Sequence, residues 1–233
     1  MKVTYLEHSG FAAEYKEYVL IFDWYRGSLP EFDQQKKIYV FASHSHYDHF
    51  NKKIFGWSEQ YPDVRYILSA DIAGKEQSEE QSERTVYVTA NKKYDFDGIK
   101  VQTLHSTDEG VAFIVYMEDK VIYHAGDLNW WHWEEETESY NEQMRQDYQR
   151  EIDKLKDIVI DIAFVPLDPR QENQYAWGMD YFMKHTHTKY LFPMHMWGDY
   201  EVYDRLMENP EAEPYKERVI EVKEPGQVFD VNV

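Results

Sequence analysis

The segment FASHSHYDHF, residues 41–50, constrains this chain more than any other. It places His44, His46, Asp48 and His49 within six positions, and it begins inside the apolar run IYVFAS. At the end of an extended strand, residues two apart project to the same face, so His44 and His46 can hold one ion from one side. Asp48 and His49 follow in the turn and can address a second, neighbouring position. Neutral imidazoles and a carboxylate are what a Zn²⁺-like ion takes where no thiolate is present. The chain has no cysteine, which also excludes a disulfide framework and a cysteine nucleophile. A lone histidine would be assigned to hydrogen bonding or solvation. H-x-H-x-D-H directly behind a hydrophobic strand points to metal instead.

A dinuclear site needs further ligands, and three residues stand where apolar runs end: His105 in TLHSTDEG, Asp127 in YHAGDLNWW and His195 in LFPMHMWGD. Strand ends at the rim of a sheet are rigid places to fix a ligand. With residues 44–49 these three complete two metal positions.

These residues, with the opening LEHSGF…LIFD, make the chain resemble the metallo-β-lactamase-fold superfamily over nearly its whole length. The resemblance implies an α/β fold, the αββα four-layer sandwich, built as one domain over residues 1–233. It assigns His44, His46 and His105 to a first metal, Asp48, His49 and His195 to a second, and Asp127 to a bridging position. It implies two divalent ions, with Zn²⁺ expected and Mn²⁺ or Fe²⁺ compatible with the same ligands. Such a pair holds a hydroxide that attacks carbonyl carbon or phosphorus, and Asp48 both binds metal and orients that nucleophile. Within the superfamily, EHSGF and the GD-then-aromatic segment are similar to the branch of ascorbate-6-phosphate lactonase and N-acylphosphatidylethanolamine phospholipase D. The motif is not the HxExD type of oxygen-reducing di-iron relatives. The bridging aspartate departs from true β-lactamases, and the basic exosite of tRNA 3′-processing relatives is missing.

Support for the histidines is expected from Asp23, ending LIFD, and from Asp108, just after His105; a strand-end cap is the equal alternative for Asp23. Trp131, His132 and Trp197 are candidate substrate contacts, with structural packing as the alternative; His8 is a candidate substrate contact or a support of the metal ligands, with a structural hydrogen bond as the equal alternative. His124 reads as a buried strand histidine. His185 and His187 close a helix without a nearby carboxylate.

Strand-like segments cluster early: VTYLE, FAAEY, YVLIFD with Lys16-Glu17 as hairpin tip, IYVFAS, VRYILSA, TVYVT, IKVQTLH, VAFIVYM and KVIYHAG. Helical patterning is expected over NKKIFGWSEQY, Glu134 to Lys156, GMDYFMKHTH and DYEVYDRLMEN, with strands IDIAFVPL and KYLFPMH between and RVIEV as an edge strand. In the long helix, Met144, Tyr148, Ile152 and Leu155 form a core-facing stripe.

Lys+Arg 25 against Asp+Glu 44 gives a net charge of -19. That charge opposes nucleic acid and acidic membranes as partners and leaves a small-molecule substrate. No signal peptide or spanning run is evident, so a cytoplasmic location is expected. Three functions remain open: hydrolysis of a lactone, ester or amide, phosphodiester hydrolysis, and metal binding without turnover. Oligomeric state is not legible.

Overall fold

A computed structural model describes residues 1–74 and 79–233. The chain divides into two compact units, Met1–Thr89 with Lys223–Val233, and Ala90–Val222.

In the first unit, β1 (Lys2–Glu7), β2 (Gly10–Tyr15) and β3 (Tyr18–Phe22) form an antiparallel meander. β4 (Lys37–Ala42), β5 (Arg65–Ser69) and β6 (Thr85–Val88) then continue it in parallel. The Lys16-Glu17 tip is as expected, with Lys16 at φ 50°, the left-handed conformation tight hairpins require. All five residues of β3 are buried, which explains why YVLIF is a continuous apolar run rather than an alternating one. One face of the sheet carries Val19, Ile21, Ile38, Val40, Tyr66 and Leu68 against Ile54 and Phe55. The latter two come from a 3₁₀ helix, Lys52–Glu59, capped by the Asn51 side chain accepting from Lys53 N–H at 3.0 Å. A short helix, α1 (Glu79–Glu83), precedes β6.

In the second unit, β7 (Lys93–Phe96), β8 (Ile99–His105), β9 (Val111–Met117) and β10 (Lys120–His124) are antiparallel. β11 (Val159–Pro166) and β12 (His187–Met194) extend the sheet in parallel. α2 (Glu138–Ile152) and α3 (Trp177–His185) make the crossovers between the parallel strands, and α4 (Val202–Glu208) follows β12. Phe182 of α3 stacks on Tyr123 of β10 at 5.0 Å, both fully buried, a pairing worth about 0.5–1.5 kcal/mol beyond area burial. The helix stripe is core as expected at Tyr148, Ile152 and Leu155, all fully buried, whereas Met144 is only partly buried. Gly178 has a definite reason: a Cβ there would lie 1.8 Å from Asn129 Oδ1, so only glycine lets α3 close on that segment.

The chain then returns to the first unit, where β13 (Val228–Asp230) pairs with β1. RVIEV does not form the expected strand; only Val219 bridges to Leu191. The Arg218 guanidinium donates to the Thr188 carbonyl at 2.7 Å, taking up an acceptor on the β12 edge that a paired strand would need. No helix among the described residues is long and apolar enough to cross a membrane.

Candidate metal centre

The parallel strands β3, β4 and β5 all end at one edge of the first unit's sheet. The carboxyl edge of parallel strands is where open α/β sheets bind ligands. Here Asp23 follows β3, the histidine segment follows β4, and Asp71 follows β5. Asp23 is fully buried, at φ 46°, and ties the segment down. Its carboxylate accepts from Ser43 N–H at 2.7 Å and Ser43 Oγ–H at 2.6 Å, and pairs with His49 Nδ1 at 2.7 Å. Asp71 accepts from Ser45 N–H at 2.7 Å, a second anchor for the same loop.

These bonds set the tautomers. His49 Nδ1 faces a carboxylate, so it carries the proton and Nε2 presents its lone pair. Ser43 Oγ spends its proton on Asp23 and therefore accepts from His44 Nδ1, 2.9 Å away, leaving the lone pair of His44 on Nε2. That Nε2 lies 3.0 Å from His46 Nδ1. A tetrahedral ion with bonds of about 2.0–2.1 Å has ligand atoms separated by roughly 3.3 Å, so the two nitrogens are spaced as neighbouring ligands of one ion. The donor atoms of His8, Asp48 and His49 lie within 4.8 Å of one another. His8 Nε2 is 3.4 Å from Asp48 Oδ2. Burial works to raise the pKa of Asp48, but hydrogen bonding from His8 and the nearby His49 outweigh it and hold the carboxyl below its usual range.

The second unit repeats the arrangement. Its parallel strands β10, β11 and β12 lead into Asp127, Asp168 and His195 at their carboxyl ends. Fully buried Asp168 pairs with His195 Nδ1 at 2.9 Å and accepts from Arg170 Nε at 3.0 Å and Arg170 Nη2 at 2.5 Å. Burial opposes ionisation of Asp168, yet these bonds bring its pKa down to about 2. With Nδ1 engaged by Asp168, His195 turns Nε2 toward Asp127 Oδ1 at 3.4 Å. A cation shared by the two atoms, whether a metal ion or a proton, reconciles that spacing. Asp127 sits in a turn made by Gly126 at φ 53° and closed by Leu128 N–H to the Ala125 carbonyl at 3.0 Å. His105 ends β8 and is exposed; its backbone N–H donates to Glu151 Oε2 at 3.1 Å, and its Nδ1 lies 2.5 Å from the Ser106 carbonyl, so Nε2 is again the lone-pair nitrogen. The donor set, its tautomers and its spacings fit divalent ions.

A cavity of 230 Å³ in this unit is lined by Asp127 and His195 together with Trp131, Trp133, Met144 and Arg170. Trp131 stacks on Trp133 at 5.9 Å, donates from Nε1 to the Asp127 carbonyl at 2.9 Å, and walls this cavity. Trp197 is 42% exposed and lies edge-on to His195 at 5.5 Å, with the Arg170 guanidinium 4.5 Å over its ring.

The other two expected substrate contacts have different surroundings. His132 lines a separate cavity, because successive residues in this extended segment point to opposite sides. His8, at φ 56°, is turned inward and buried against Asp48, a partner of that carboxylate whose ring nitrogen joins the donor atoms of Asp48 and His49. Asp108 is exposed and lines the cavity around Asp127 and His195, while Asp23 and Asp168 pair with the Nδ1 atoms of His49 and His195. His124 is fully buried, and its Nδ1 accepts from Gly126 N–H at 3.1 Å. His185 stacks on Tyr181 at 3.8 Å, outside the candidate metal-binding groups among the described residues.

No family model and no curated protein matches the sequence. Solved structures do match. Igni18, a novel metallo hydrolase from the hyperthermophilic archaeon Ignicoccus hospitalis KIN4/I, aligns over 99% of both chains with a TM-score of 0.64 at 16% identity. YhfI from Bacillus subtilis, a metallo-β-lactamase fold protein, aligns over 98% of both chains with a TM-score of 0.62 at 15% identity. The chain has the metallo-β-lactamase fold. CmlA, a diiron β-hydroxylase from Streptomyces venezuelae, aligns over 84% of this chain and 44% of its own, with a TM-score of 0.53 at 10% identity. At identities this low the likeness is one of fold, and the fold accommodates more than one chemistry.

Proposed function

We propose that this protein is a dinuclear metal-dependent hydrolase acting on a carbonyl group, in a lactone, ester or amide, of a small molecule. The observation that carries the reading is the pair of buried carboxylates, Asp23 and Asp168, each holding the Nδ1 proton of a strand-end histidine and turning its Nε2 lone pair toward further ligand atoms. The reading retains the ligand assignment implied by the sequence: His44, His46 and His105 for one ion, Asp48, His49 and His195 for the other, and Asp127 shared. Bound divalent ions supply Lewis acidity and bring the pKa of water toward neutrality.

The chain's own residues do the rest. Asp48, kept ionised by His8, accepts the proton of the attacking water or orients it. Trp131 and Trp133 wall the cavity and exclude bulk water from the reacting group. Arg170 brings a cation to that cavity, which is the observation favouring a phosphodiester as second reading. Its guanidinium is paired with Asp168, and Asp108 and Asp127 line the same space, so the cavity offers no net positive charge to a phosphate. That balance favours the carbonyl substrate.

The test is turnover by metal-loaded protein of a simple lactone beside a chromogenic phosphodiester, with Asp48→Asn as control. Lactone hydrolysis that falls at least about 100-fold in the variant supports the reading. Phosphodiester hydrolysis lost in the variant would install the second reading. Metal-loaded protein that turns over neither would contradict an enzymatic role.

A further inference from the structure

His124 closes β10 and is fully buried, yet the hydrolytic reading gives it no part. It ends the strand KVIYH, at a position where leucine would pack without any polar demand. A buried imidazole is costly unless its nitrogens are matched. Neighbouring Tyr123 stacks on Phe182 of α3, so His124 projects from the other face of the strand. There its ring centre lies 5.8 Å from that of Phe164 on β11. Its Nδ1 accepts from Gly126 N–H at 3.1 Å, so the neutral ring carries its proton on Nε2.

That bond falls where the chain leaves the sheet. Ala125 N–H still continues the ladder, donating to the Phe164 carbonyl at 3.0 Å. The next residue, Gly126, takes φ 53° and enters the turn that Leu128 N–H closes on the Ala125 carbonyl. Gly126 is buried, so its N–H needs an acceptor within the protein, and His124 supplies it. One residue on, the Asp127 carbonyl accepts from Trp131 Nε1 at 2.9 Å. The Asp127 backbone is thus held before its Cα by His124, through Gly126, and after it by Trp131. Between these two anchors the carboxylate faces His195, with Oδ1 3.4 Å from Nε2. An apolar residue at 124 would fill the same space but leave the first anchor unmade.

We propose that His124 is a positioning residue for Asp127. Its neutral imidazole fixes the peptide entering Asp127 and so aims the carboxylate, without itself touching metal or substrate. The inference rests on Asp127 being a ligand of the proposed centre.

Asparagine and leucine separate positioning from packing. In His124→Asn, Oδ1 stands in for Nδ1 as acceptor, but the smaller side chain leaves a void. Leucine fills the space and accepts nothing. The test is zinc affinity of the intact chain, read by competition with a chromogenic chelator, beside thermal melts of the metal-free variants. His124→Leu should bind zinc at least about tenfold more weakly than the parent, and His124→Asn within about threefold of it, even where the asparagine variant melts lower. Affinities that follow the melting order, equal loss in both variants, or a leucine variant that binds as the parent does would each overturn the assignment. A long-range proton–nitrogen NMR spectrum of the metal-free parent should show His124 protonated at Nε2; a proton on Nδ1 would overturn it equally. Should His124→Leu not fold, the tautomer and the zinc affinity of His124→Asn decide. A parent that takes up no zinc would strike the proposed centre and this inference together, whereas the other adverse outcomes strike His124 alone.

Discussion

Replacing Asp23 by asparagine tests the physical logic of the centre. The carboxylate is fully buried and accepts three hydrogen bonds, from Ser43 N–H, Ser43 Oγ–H and His49 Nδ1–H. An amide keeps one acceptor, enough for the Ser43 N–H. Its NH₂ end then confronts two donors at the position of Oδ2. Ser43 can rotate its hydroxyl, which breaks the acceptor set that fixes His44. His49 can relieve the clash only by moving its proton to Nε2, the nitrogen that the proposed centre assigns to metal. Hydrogen bonds to a charged group are worth about 1.5–3 kcal/mol each, and partial rearrangement recovers some of the two at risk, so unfolding in urea with chelator present should weaken by about 2–4 kcal/mol. Metal affinity, read by competition with a chromogenic chelator, should fall about 10–100-fold, the range for lost support of a ligating histidine. Asp71→Asn is the control: it replaces an exposed carboxylate that anchors the same loop by an amide that can still accept from Ser45 N–H, and should cost less than about 1 kcal/mol. Asp23→Asn with stability within about 0.5 kcal/mol and metal affinity within about twofold of the parent would refute the reasoning.

Gly178→Ala should destabilise the chain by about 2–3 kcal/mol in urea unfolding, because its Cβ would lie 1.8 Å from Asn129 Oδ1 and α3 must move to admit it. Thr137 caps α2 by accepting from Tyr140 N–H at 3.2 Å, so Thr137→Ala should cost about 1 kcal/mol in the same assay. Asp168, with a folded pKa of about 2 against an ordinary 3.8, contributes stability that is complete above about pH 4 and lost as pH falls through 2. That contribution is roughly 2 kcal/mol, and acid unfolding of metal-free Asp168→Asn should lack the corresponding slope.

The H-x-H-x-D-H loop was legible in the sequence because its spacing and the apolar run before it coincide in one short segment. Asp127, His105 and His195 were legible as polar residues at the ends of apolar strands. The same signal marks Asp168 in IDIAFVPLD, yet its role depends on the parallel pairing of β11 with β12, which sets it beside His195. Arg170 follows from that placement. His8 resisted assignment because a left-handed backbone turns it inward, and no local pattern announces such a residue. In LNWWHW, the side each ring takes is set by the path after the Asp127 turn, so Trp131 and His132 part company between two cavities. β7 was missed because KYDF is a polar strand at the edge of its sheet, with no buried face to impose alternation. RVIEV shows the converse, a strand-like composition whose pairing edge is already met by an arginine side chain.

The central claim is that the histidine and aspartate set holds two ions. Elemental analysis after dialysis against Zn²⁺ tests it directly, on the parent chain and on His44→Ala/His46→Ala. Two equivalents per chain in the parent and about one in the variant are the predicted results. A parent that retains no zinc, or a variant that retains as much as the parent, would contradict the account.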